Sequence, residues 1–158
     1  MKSPLRYPGG KTRAVKHILP HIPEDITELC SPFLGGGSLE LAVAGRGISV
    51  YGYDIFQPLT NFWHHLLRTP MSLSILSDSY RTSNGTLRGL ARRDFLQFKQ
   101  DLMSAPAKSI TDAAKFYALN RSSFSGATLS GGYSKQAAYK RFTNSSILRL
   151  WTFETYNL

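Results

Sequence analysis

The chain has 158 residues, is 42% hydrophobic, and carries 19 Lys and Arg against 10 Asp and Glu, a formal net charge of +9 with a pI near 9.9. That apolar fraction supports one packed domain, or a domain with a small appendage, and excludes global disorder. A lone cysteine, Cys30, excludes an internal disulfide framework and a Cys-rich zinc site, and no apolar run reaches signal-peptide or membrane-span length. The expectation is a cytoplasmic protein with no membrane and no metal among its partners. The basic balance points to a polyanion, most commonly nucleic acid, although a merely soluble basic surface has the same composition.

In chain order, Leu5-Arg6-Tyr7-Pro8-Gly9-Gly10-Lys11 comes first, and Pro8-Gly9-Gly10 is turn chemistry. A helix is predicted from about Thr12 to Leu19, stopped by Pro20. Lys11 at its start opposes the helix dipole, so it is either an exposed basic residue or an anion ligand. A β-like run, Ile26–Cys30, leads into Ser31-Pro32-Phe33-Leu34-Gly35-Gly36-Gly37-Ser38, and an apolar helical run, Leu39–Val43, follows. Within the strand-like run, Cys30 is expected to be a buried, inert thiol. Consecutive glycines let the backbone turn sharply and lie against a ligand, because no Cβ intrudes. A second β-like run, Ile48–Tyr53, ends on Asp54. A glycine turn followed at about 20 residues by an acid at a strand end is the nucleoside-binding arrangement of Rossmann-like units. The spacing alone equally describes a tight turn followed by an aspartate opening the next helix.

Phe56, Leu59, Phe62, Trp63, Leu66 and Leu67 recur at helical spacing and read as a core-facing stripe. His64 and His65 are adjacent, point to different faces, and make a poor metal pair. Met71–Tyr80 reads as another helix and Ser83-Asn84-Gly85 as a loop. Arg88, Arg92 and Arg93 with Asp94 suggest a helix with one basic face, solvated or turned to nucleic acid. Ser109-Ile110-Thr111-Asp112 is an N-cap signal for a helix ending near Asn120-Arg121. The segment Ser125–Tyr133 reads as flexible and hairpin-like, followed by the basic residues Lys135, Lys140 and Arg141. Hydroxyls, glycines, an aromatic and clustered positive charge suit a loop that enters a DNA groove. The lesser alternative for Asn120 and Arg121 is a helix C-cap and a surface arginine. A last helix begins at Thr143 and covers Asn144–Trp151.

Four segments together carry a resemblance: Tyr7-Pro8-Gly9-Gly10-Lys11, then Pro32-Phe33-Leu34-Gly35-Gly36-Gly37, then Asp54 opening Ile55-Phe56-Gln57-Pro58-Leu59-Thr60-Asn61-Phe62-Trp63, then Asn120-Arg121 with Phe124 and Gly126. In this order they resemble the Dam-type DNA adenine-N6 methyltransferases. The resemblance implies an α/β, Rossmann-like S-adenosylmethionine-dependent methyltransferase fold, with an incomplete sheet and a helical and β-hairpin target-recognition region. Residues 1–68 would bind S-adenosyl-L-methionine, residues 69–142 would form the DNA target-recognition region, and residues 143–158 would return toward a missing catalytic strand. Tyr7, Lys11, Phe33, Gly35 and Asp54 match cofactor positions. Asn120, Arg121, Ser123, Thr128, Tyr133, Lys135, Lys140 and Arg141 fall in the DNA-recognition region. The implied activity is site-specific methyl transfer to the N6 of a flipped adenine in double-stranded DNA.

In the resembled enzymes an Asp-Pro-Pro-Tyr motif binds the adenine amino group, and this sequence contains none. No catalytic residue is therefore carried over, and two parallel strands alone would leave apolar faces uncovered. The expectation is a natural fragment or split subunit, completed by a second chain that carries the catalytic motif. The competing reading is a non-catalytic relic or regulatory module that keeps DNA and S-adenosylmethionine binding. A third, an unrelated nucleotide-binding Rossmann protein preferring NAD, is opposed by Pro32-Phe33 and the Tyr7–Lys11 element. The DNA target, and the choice among a restriction–modification, orphan bacterial or viral setting within a host cell, stay open.

Overall fold

The computed structural model describes residues 1–155. It is a mixed α/β arrangement with two small sheets and, among the described residues, eight α-helices. The parallel pair β1 (Glu28–Ser31) and β2 (Ser49–Gly52) runs in register from Glu28 opposite Ser49 to Ser31 opposite Gly52. Helix α2 (Ser38–Ala44) makes the crossover. Ahead of β1, the expected helix from Thr12 is cut to α1 (Val15–Ile18), and a 3-10 turn, Leu19–His21, continues it. Pro20 accounts for the switch to the 3-10 turn, because it lacks the N–H that another α-turn needs.

Helix α3 (Gln57–Arg68) buries Leu59, Phe62, Trp63 and Leu66, the predicted stripe, while Leu67 stays exposed. After Thr69, α4 (Pro70–Ser79) starts at once, in place of the expected helix from Met71. The expected loop at Ser83-Asn84-Gly85 is instead an antiparallel hairpin, β3 (Thr82–Asn84) with β4 (Leu87–Gly89). Its strands are three residues long and β3 is wholly exposed, so no apolar alternation marks it. Helix α5 (Arg92–Ser104) follows, then α6 (Ile110–Ser122). Ser109 and Asp112 form the capping box that starts α6: the Asp112 N–H donates to Ser109 Oγ at 3.1 Å and the Ser109 N–H donates to Asp112 Oδ2 at 3.0 Å.

Helix α6 is the axis of the fold. It is buried from Phe116 to Ser122 and packs on α3, α4, α5 and the short α7 (Lys135–Lys140). Its Phe116 and Tyr117 meet Phe62 of α3, with ring centroids 5.7 and 5.5 Å apart, and Tyr117 also meets Phe142. Each fully buried aromatic of this kind contributes about 1.5–3 kcal/mol. The Tyr117 hydroxyl donates to the Ser146 carbonyl at 2.8 Å, so this buried phenol is paired. Helix α8 (Asn144–Trp151), capped by Thr143, closes the bundle against α4. The last positions of the expected 143–158 segment, 156–158, lie outside the described residues.

Two further expectations change. Cys30 is exposed, because β1 alternates exposed and half-buried positions and Cys30 stands on the open face. The segment 124–133 is not a paired hairpin but two 3-10 turns, Phe124–Gly126 and Thr128–Ser130, closed by a single bridge between Ser123 and Tyr133. Ser125 (φ 52°), Gly126 (φ 72°) and Thr128 (φ 53°) are left-handed, which curls the chain instead of extending it.

Candidate functional site

The glycine bend is built by its neighbours. The Leu34 N–H donates to the Tyr53 carbonyl at 2.8 Å, fixing the bend beside the end of β2. Gly35 and Gly37 adopt φ of 49° and 66°, which glycine enters without strain. A Cβ on Gly37 would lie 2.6 Å from the Trp63 ring, and one on Gly36 would lie 2.9 Å from Tyr7 Cβ. The Trp63 indole N–H also donates to the Gly35 carbonyl at 3.0 Å. Two of the three glycines are therefore required by close packing of aromatics.

Asp54 is tied to the same bend. Its Oδ2 accepts from the Gly35 N–H and its Oδ1 from the Phe56 N–H, both at 2.9 Å. An ionised carboxylate has about four acceptor sites, so these bonds leave capacity for a further donor. Tyr7 covers the glycines, and burial first, then the Asp54 charge, raises its phenol above the usual range. It therefore stays a protonated donor at neutral pH. Lys11 is brought near by sequence but not bonded to the bend: its Nζ is exposed and donates to the Gly9 carbonyl at 2.8 Å. One residue on, the Thr12 and Ser38 hydroxyls meet at 2.9 Å and tie the N-terminal arm to the start of α2. Phe33 is 87% exposed and Ile55 fully exposed. Ile55 was not singled out in the sequence, and its only signal was an apolar residue directly after the acid.

The bend, Asp54 and Tyr7 thus converge. A concavity of about 520 Å³ lies beside them and is lined by Leu34, Gly37, Leu41, Val50 and Trp63, but by none of Tyr7, Lys11, Phe33, Gly35 or Asp54.

The second cluster joins the arm to the curled loop. Asn120 is fully buried; its Oδ1 accepts from the Arg6 N–H at 2.9 Å, and its Nδ2 donates to the carbonyls of Arg6 at 2.6 Å and Gly126 at 3.3 Å. Arg121 is buried too, donating to the carbonyls of Arg141 at 2.8 Å and Pro4 at 3.2 Å. Burial lowers its pKa, and the charges of Arg149, Arg6 and Arg141 add to the effect against an opposing contribution from Tyr117. Ser123 Oγ accepts from the Thr128 N–H at 3.0 Å, and the Thr128 hydroxyl donates to the Gly126 carbonyl at 3.0 Å. The Tyr133 hydroxyl donates to the Leu90 carbonyl at 3.0 Å. Asn120, Arg121, Ser123, Thr128 and Tyr133 therefore spend their polar groups inside the protein, shaping the loop.

What the loop offers to solvent is different. Phe124 is 63% exposed, and Lys135, Lys140 and Arg141 are exposed with no ion pair among the described residues. In the sequence Phe124 is marked only as part of a motif; its exposure follows from the left-handed turn after it, which no local pattern announces. Among the described residues no His, Cys, Asp and Glu cluster could hold a metal ion, and no helix is long and apolar enough to cross a membrane.

A family model described as D12 class N6 adenine-specific DNA methyltransferase matches residues 7–157. No curated protein matches the chain.

Proposed function

The chain belongs to the D12 class N6 adenine-specific DNA methyltransferase family, which its match over residues 7–157 establishes, and from that premise we propose that it holds S-adenosylmethionine at the glycine bend and duplex DNA on the curled loop. The parallel β1–α2–β2 unit would then be the first part of a Rossmann-like sheet. One observation carries the reading: Asp54 and Tyr7, distant in sequence, both close on Gly35 and its neighbours. The residues present suit a nucleoside. Asp54 has acceptor capacity for ribose hydroxyls, Phe33 and Ile55 offer exposed apolar contact, and Lys11 supplies a cation for a carboxylate.

S-adenosylmethionine supplies an electrophilic methyl group when bound. The chain's own residues bind and orient. Lys135, Lys140 and Arg141 neutralise backbone phosphates. Asn120 and Arg121 act from within, holding the loop in the shape that presents Phe124. Of the two loop aromatics, Phe124 is the one free to fill a gap in the base stack, since Tyr133 is tied to Leu90. Adenine N6 is a weak nucleophile, its lone pair shared with the ring, and an acceptor must relieve its protons as the new bond forms. No Asp-Pro-Pro-Tyr occurs in the 158 residues, so that role is assigned to residues outside them, on a second polypeptide segment. A DNA substrate implies an intracellular setting.

The test is calorimetric titration with S-adenosylmethionine and with NAD, then a methyl-transfer assay on mixed-sequence duplex DNA. Saturable binding of S-adenosylmethionine and not of NAD is expected; the reverse overturns the reading. The missing motif also favours a second reading, a non-catalytic module. Binding of both cofactor and DNA with no transfer, even when a polypeptide carrying Asp-Pro-Pro-Tyr is supplied, would select it.

A further inference from the structure

Beside the curled loop lies a notch of about 580 Å³ whose lining includes Arg92, Phe95, Lys99, Gly132, Tyr133 and Lys135. Three cations line it and no carboxylate does. Like charges gathered in one concavity repel, and no carboxylate among the described lining residues offsets them. Arg92 and Lys135 are exposed and make no side-chain hydrogen bond or ion pair among the described residues. The neighbouring acid, Asp94, is engaged by Arg93 at 3.2 Å. Lys99 is half-buried and held in place by one bond, from Nζ to the Gly131 carbonyl at 3.0 Å, which leaves its other protons to donate. The floor is stiff: Tyr133 is anchored to Leu90 and meets Phe95 edge-on, ring centroids 5.4 Å apart. The notch also adjoins the exposed aromatic, because the Phe124 N–H donates to the Gly132 carbonyl at 3.2 Å.

We propose that this notch seats a backbone phosphate of the DNA strand that passes Phe124, with Arg92, Lys99 and Lys135 as its ligands and the apolar edges of Phe95 and Tyr133 against the adjoining sugar. The proposal rests on the DNA-binding reading above and adds Arg92 and Lys99 to it. A seat on each side of the loop would fix the register of the duplex, since phosphate contacts position a protein without reading sequence.

The experiment is fluorescence anisotropy of a mixed-sequence duplex over a range of KCl concentrations, with the full chain. One lost phosphate contact lowers the slope of log K against log salt by about 0.9 and weakens binding near 0.1 M salt roughly tenfold. The double variant Arg92→Gln, Lys99→Gln is expected to do this, and Lys99→Arg alone to keep the wild-type slope. Arg93→Gln removes the same kind of charge one position away, outside the notch, and is expected to leave the slope unchanged. Circular dichroism and S-adenosylmethionine titration check that each variant keeps its fold and the cofactor bend. An unchanged slope in the double variant, or an equal fall in Arg93→Gln, overturns the phosphate seat while duplex binding stands. Displacement of DNA by inorganic phosphate below millimolar concentration would make the notch a small-anion site instead and also overturns it. Wild-type protein that does not bind duplex DNA at all defeats the wider reading, a different result from either.

Discussion

The two halves of the molecule are held together in different ways. From α3 onward, helices wrap α6, and Phe62, Phe95, Phe116, Tyr117 and Phe142 are all fully buried. The β1–β2 pair has no fully buried residue; Tyr51 on β2 is exposed, as is Tyr53 just beyond it. Stability is thus concentrated in the helical half, and the candidate cofactor residues stand on the half with the thinner core. A ligand that binds only the folded state adds stability by mass action. In this molecule that gain would fall on the half that has least of its own.

The contrast is sharpest in core truncations. Phe62→Ala should cost about 3–5 kcal/mol in urea unfolding, whereas Val50→Ala on β2 should cost less than about 1 kcal/mol. Equal losses would mean that the two halves share one core. Next in size is Asn120→Asp, nearly the same shape but with no Nδ2 donor. Carboxylate oxygens would then face the carbonyls of Arg6 and Gly126, at an expected cost of about 3 kcal/mol. Hydrogen exchange at the Arg6 amide should accelerate with it; protection unchanged would show that the arm is held by other contacts. Asp54→Ala should weaken S-adenosylmethionine binding by about 1.5–3 kcal/mol, read by calorimetry. Unchanged affinity would leave Asp54 as a purely structural tie between bend and α3.

The smallest effect belongs to the helix cap. Burial acts to raise the Asp112 carboxyl, but the N–H donors of Lys108 and Ser109, the Ser109 hydroxyl and the Lys115 charge outweigh it and hold the pKa below its ordinary value of 3.8. A depressed folded-state pKa gives stability that is present above the unfolded value and lost as pH falls through the folded one. Asp112→Asn should therefore cost about 1 kcal/mol at neutral pH, and the gap from wild type should close in acid below about pH 3.9. A gap independent of pH would show that the carboxylate's charge does not matter there.

What could be read in the sequence was local. Ser109 with Asp112, the stripe from Leu59 to Leu66, and the paired β-like runs each carry their signal within a few residues. The four motif segments also mark the family by their order and residues alone. What could not be read depended on distant partners. Asn120 and Arg121 read as DNA-recognition residues, or else as a helix end facing solvent, yet their acceptors on Arg6 and Pro4 lie more than a hundred positions earlier. Tyr133 and Phe124 are equivalent by composition, and only the Leu90 carbonyl and the left-handed Ser125 decide which one is exposed. Cys30 lies on a strand whose buried side faces the other way.

The Asn120 clamp has a consequence for the order of assembly. It joins positions 114 apart, among the longest closures in the protein. A nascent chain makes residues 4–7 before α6, so their anchor emerges from the ribosome only after α6 has been translated. Closures of such high contact order come late, because the intervening chain must already be compact. A segment synthesised ahead of α6 is thus among the last to be seated, and Tyr7 covers the glycines only once the helical half exists. If the bend holds a nucleoside as proposed, that site is finished by the folding of the region that would meet DNA.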